Sequence, residues 1–165
     1  MNLLTLAGVF ALGLGVIDLG GDPTGAYQWH VLLGILAGLI CAFTHVSVFT
    51  YFMATTKWLH AAADKGALDV ARFVGPSLPR KRKAFAAGMG AVVLTFAAML
   101  AGAGADPTAR PLWPGEVHLI AAAVAMAANL LAALAQYRLI VEQGRLMDDV
   151  LAILNRRPGV EVAAS

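Results

Sequence analysis

Four long apolar runs alternate along the chain with short polar stretches, at about residues 2–19, 30–55, 84–105 and 115–140. Each reaches or approaches the roughly 20 residues that a helix needs to cross a hydrocarbon layer about 30 Å thick. Turn chemistry fills two of the breaks. Gly20-Gly21-Asp22-Pro23-Thr24-Gly25 separates the first two runs, and Asp106-Pro107-Thr108-Ala109-Arg110-Pro111 the last two. Both breaks are short, so each is expected to join antiparallel neighbours. Leu59, Ala63, Leu68, Ala71 and Val74 recur at helical spacing until Gly75-Pro76 stops the pattern. Leu146, Val150, Leu151 and Leu154 do the same ahead of Pro158. The pattern predicts an all-α fold: a single domain over residues 1–165, an antiparallel bundle of four transmembrane helices, with helical extensions near 59–74 and 143–155.

Composition agrees. Hydrophobic residues make up 59% of the 165 and charged residues 13%, against about 45–50% and about 25% in a soluble domain. The apolar excess is too large for one soluble core and implies a lipid cover. Orientation follows from the basic residues. Lys57, Lys65, Arg72, Arg80, Lys81, Arg82 and Lys83 lie in or beside the middle connection, and Arg138, Arg145, Arg156 and Arg157 toward the end of the chain. Arg110 alone lies in the third connection. This asymmetry predicts both termini on the cytoplasmic side of a bacterial inner membrane. Tyr27, Trp29 and Trp113 then mark the outer interface and Trp58 the inner one. The run Arg80-Lys81-Arg82-Lys83 is expected to meet anionic lipid, and nucleic acid is not an expected partner.

Several classes drop out. Residues 1–19 lack the Lys or Arg of a signal-peptide n-region and are read as a retained helix. Cys41 is the single cysteine, which excludes a disulfide framework and a thiolate cluster, and it is read as a buried, inert thiol. No phosphate loop, nucleophile elbow or internal repeat is evident, so independent catalysis is not expected. The pairs Gly13 and Gly15, Gly88 and Gly90, and Gly102 and Gly104 are read as points of close helix packing.

Candidate chemistry rests on histidines, because ionisable groups inside a membrane are costly and face the bundle interior. His30 opens the second run and His118 the fourth, which places them at similar depth on helices running in the same direction. Facing each other, they could ligate haem b, or hold a divalent metal together with Glu116. The plainer reading leaves both as interfacial residues bonded to water and loops. His45 follows His30 by fifteen residues, about 22 Å along a helix and about 60° round it. Two histidines so placed on one helix are reminiscent of dihaem cytochromes b, although the fourth run offers only His118 and an inner haem would need Met89 or another unusual ligand. Asn129, at nearly the depth of His45, is the simpler partner, through an interhelical hydrogen bond. His45, Ser47, Tyr51 and Asn129 form the expected intramembrane polar cluster, with room beside it for a headgroup, a quinone or a proton path.

The run His45-Val46-Ser47-Val48-Phe49-Thr50-Tyr51-Phe52, with Thr55-Thr56-Lys57, Pro114-Gly115-Glu116-Val117-His118 and Asn129, resembles a group of small bacterial four-helix membrane proteins. That resemblance implies the architecture over most of the chain and no activity. The functional expectation is an accessory subunit of a membrane complex, binding haem b and supporting electron transfer or quinone binding. Its partners are lipids and other membrane subunits or further copies of the chain. The alternatives are a purely structural or assembly subunit without cofactor, and a small proton-linked transporter resting on His45.

Overall fold

The computed structural model describes residues 2–15, 23–106, 108 and 110–156. Among them there are helices and turns and no strand: α1 (Asn2–Gly13), α2 (Pro23–Lys65), α3 (Val70–Phe73), α4 (Ser77–Gly104) and α5 (Gly115–Asn155). Three helical stretches, Gly25–Lys65, Val70–Gly104 and Gly115–Asn155, are long and apolar enough to cross a membrane. The described part of the first expected span is the shorter apolar helix α1, of 12 residues. The Gly20–Asp22 part of the first turn, and Asp18, Pro107, Ala109, Arg157 and Pro158, lie outside the described residues.

The helices run further than their apolar cores. Pro23 occupies the first position of α2, where its fixed φ and missing N–H cost nothing, so Tyr27 and Trp29 belong to the helix and not to a loop. Between Thr55 and Lys65 there is neither Gly nor Pro. The first half of the expected 59–74 extension therefore simply continues α2, which reaches 43 residues, about 64 Å at about 1.5 Å per residue. The same holds for 143–155, which is the end of the 41-residue α5. At the other end of the middle connection, Gly75-Pro76 stops α3, and Pro79 is tolerated in the first turn of α4.

α2 ends in a wrapped turn. Leu68 N–H donates to Ala63 O at 2.9 Å, and Ala67 takes φ 47°, the left-handed position that usually holds glycine. The available glycine, Gly66, sits one residue earlier, where any side chain would run into Leu154. Ala67→Gly is accordingly expected to stabilise the protein by about 1 kcal/mol, read as a rise in thermal unfolding temperature in detergent. An unchanged or lowered temperature would count against this strain. Asp69 caps α3 by accepting from Ala71 N–H at 2.9 Å.

The chain divides into two compact units, Met1–Val46 with Gly88–Ala133, and Ser47–Ala87 with Leu134–Ser165. In the first, the buried positions are, Leu12 apart, small or polar, among them Ala37, Cys41, His45, Ala91, Thr95, Ala98, Ala125, Asn129 and Ala132. Its large apolar side chains point outward, with Phe43 74% and Leu100 71% exposed. Small residues inside and large apolar residues outside are the inverse of a bundle made for water and suit helices that pack in lipid. The second unit has a more conventional core. Leu59, Ala62, Ala63, Val74, Val150 and Leu154 pack together, with Trp58, Leu68, Phe73, Leu146 and Met147 against them.

Candidate functional site: a histidine pair and a polar clamp

His30 on α2 and His118 on α5 meet in the first unit. Their ring centres lie 5.8 Å apart with the planes at 78°. Each ring is fixed from behind by a backbone carbonyl: His30 Nδ1 is 3.2 Å from Val9 O on α1, and His118 Nδ1 is 3.0 Å from Ala98 O on α4. A carbonyl oxygen only accepts, so each Nδ1 carries the proton and each Nε2 keeps its lone pair. Metal-binding histidines are commonly held in this way.

The carbonyls are reachable because of Gly13 and Gly102. A Cβ on Gly13 would approach His30 Cε1 to 2.7 Å, and one on Gly102 would approach His118 Cε1 to 2.9 Å. These glycines were legible as close-packing positions, but what packs there is an imidazole and not a helix backbone. Trp113 uses a similar recess: it lies against Gly104, and its indole N–H donates to Ala101 O at 2.8 Å. Gly90 by contrast faces open space.

Glu116 does not join the pair. It is exposed in the first turn of α5, where a carboxylate interacts favourably with the helix dipole. Among the described residues no three His, Cys, Asp or Glu side chains gather to hold a metal. Just beyond α4, Asp106 accepts from the hydroxyl and the N–H of Thr108 at 2.7 and 2.8 Å. Those bonds, with one from Tyr27, hold its carboxyl below the usual range.

The expected bond between His45 and Asn129 is present at 3.3 Å, within a larger buried clamp. Asn129 Nδ2 donates to Thr95 Oγ1 and to Ala125 O, both at 2.9 Å. Its Oδ1 accepts from Cys41 Sγ–H at 3.2 Å and from His45 Nε2–H. Thr95 in turn donates to Ala91 O at 2.9 Å. Cys41 and Thr95 were not expected here; the signal that finds Cys41 is its place four residues before His45, on the same helix face. Ser47 and Tyr51 fall in the other unit. They follow His45 by two and six residues, about 200° and 240° round the helix. Ser47 is exposed, and Tyr51 is half-buried edge-on to Phe52. Met89 is 46% exposed, and His45 Nε2 is engaged by Asn129.

The second unit holds its own polar node. Gln143 Nε2 donates to Thr55 Oγ1 at 3.2 Å and to Ser77 Oγ at 2.8 Å, and Ser77 is 2.7 Å from Thr56 Oγ1. Nearby, Gln136 Nε2 donates to Ala84 O at 3.1 Å, and Arg80 pairs with Glu142 at 3.2 Å. Eleven of the twelve basic residues belong to this unit, Arg110 being the exception. Compared with models of protein families, with curated proteins and with solved structures, the chain matches none of them.

Proposed function

We propose that this protein is a four-span subunit of a bacterial cytoplasmic membrane complex that holds one haem b between His30 and His118 and relays electrons. The observation that carries this reading is the histidine pair itself. Two imidazoles on parallel helices face each other, each with its Nδ1 proton spent on a carbonyl and its Nε2 free.

The ligand count favours haem over a bare ion. A divalent ion of the zinc type asks the protein for three or four ligands, whereas haem brings its own macrocycle nitrogens and asks for two axial ones. When bound, the haem supplies one-electron redox chemistry. His30 and His118 orient it. The carbonyls of Val9 and Ala98 hold the ring protons at Nδ1. His45 has a structural role, because its Nε2 proton is bonded to Asn129, and neither a proton path nor a transport step is assigned to it.

Membrane placement rests on the outward-facing apolar residues: only 17–28% of the residues in the most apolar window of each long stretch are buried. Orientation rests on the charge asymmetry, with the basic middle connection and the basic end of the chain on the cytoplasmic side. A green fluorescent reporter fused after Ser165 is expected to fluoresce, and an alkaline phosphatase fused there to be inactive. The reverse result would overturn the orientation. The haem assignment is tested by the reduced-minus-oxidised visible spectrum of protein purified mildly from haem-supplied membranes. An α-band of haem b is expected, and a featureless spectrum would overturn the reading.

A further inference from the structure

The two histidine mounts are copies of one device. On α1 and α2, His30 reaches the carbonyl of Val9 and fills the space over Gly13; on α4 and α5, His118 reaches the carbonyl of Ala98 and fills the space over Gly102. In both, the accepting carbonyl belongs to the residue four before the glycine. Helix geometry explains the spacing. A helical side chain leans toward the N-terminus and covers the turn before it, so a side chain at position 13 or 102 would lie over the carbonyl at 9 or 98. Glycine uncovers that oxygen, which can then accept a side-chain proton on its second lone pair.

The duplication extends along α2 and α5. With His30 set against His118, Ala37 matches Ala125 and Cys41 matches Asn129, all four buried. Matched positions also touch: His30 meets His118, and Cys41 meets Asn129 at 3.2 Å. In the second unit the same register pairs Thr55 with Gln143 at 3.2 Å. Contact between equivalent positions is what a two-fold axis between two like elements produces. The match is one of position and not of residue identity, since Cys answers to Asn and Thr to Gln, and so it leaves no repeat in the sequence.

We infer that the chain is built from two like hairpins, α1–α2 and α4–α5, each supplying half of the histidine site, and that Gly13 and Gly102 are its positioning residues. Each glycine opens one carbonyl, which fixes one imidazole in the Nδ1-protonated form with Nε2 turned to the shared site. The inference rests on the histidine pair being the site proposed above, but its test reads ring protons and not colour.

The experiment is 15N NMR of the full-length, histidine-labelled protein in detergent, dithionite-reduced so that any low-spin haem is diamagnetic. Free imidazole favours the Nε2-protonated tautomer; the wild-type spectrum is expected to show two of the four histidines, His30 and His118, protonated at Nδ1. Gly13→Ala is expected to shift His30 out of that form and leave His118 unchanged, and Gly102→Ala to do the reverse. Nε2-protonated rings at both positions in the wild type would overturn the inference without any variant. So would a glycine substitution that leaves its own histidine unmoved. Nδ1-protonated rings in a colourless protein would support the positioning role and overturn the haem assignment alone.

Discussion

Alanine at either His30 or His118 is expected to abolish the reduced α-band completely while leaving the protein folded. In the proposed site His30 and His118 would each supply one ligand to the haem, so losing either would remove half of its protein bonding. The fold loses much less. Each ring contributes one side-chain bond to a carbonyl, about 0.6–2 kcal/mol between membrane helices. His45→Ala should behave in the opposite sense, keeping the band and lowering the unfolding temperature, because His45 Nε2 is bonded to Asn129 in the buried clamp. Spectra and thermal unfolding of the three variants, recorded together, separate the two roles. A full α-band in His30→Ala or His118→Ala would remove that residue from the site.

Asn129→Ala is expected to cost about 2–4 kcal/mol. The side chain is 1% exposed and makes four bonds to three helices. Removing it takes away the bonds from the Cys41 thiol, the His45 N–H and the Thr95 hydroxyl in a water-poor interior, and it opens a cavity as well. Gln143→Leu is a useful contrast, with an expected cost of about 1 kcal/mol. Gln143 is as deeply buried, but its Oε1 has no hydrogen-bond partner among the described residues. Its hydroxyl partners keep other bonds, Thr55 to Tyr51 O and Ser77 with Thr56. Equal losses for the two substitutions, measured as unfolding free energies in one detergent, would contradict this ordering.

The all-α class and the apolar stretches were legible because hydrophobic length is a one-dimensional property. Helix ends were less so. The basic run Arg80–Lys83 reads as a membrane edge, yet it lies inside the first two turns of α4, since charge marks where lipid stops and not where the backbone stops coiling. Depth along the helices set His30 level with His118, and His45 level with Asn129, but that each pair meets depends on which helices are neighbours, which depth does not tell. What could not be read is the wall behind each ring. A backbone carbonyl has no letter in the sequence, and Gly13 and Gly102 look like any other small packing residues until the imidazole over them is seen.

Titration of haem-free protein in mild detergent with haemin tests the central claim most directly. The account predicts saturation at a single equivalent per chain, with the spectrum of a six-coordinate low-spin haem in both oxidation states, and no such spectrum in the His30→Ala, His118→Ala double variant. A titration without saturation, or one that the double variant reproduces, would contradict it.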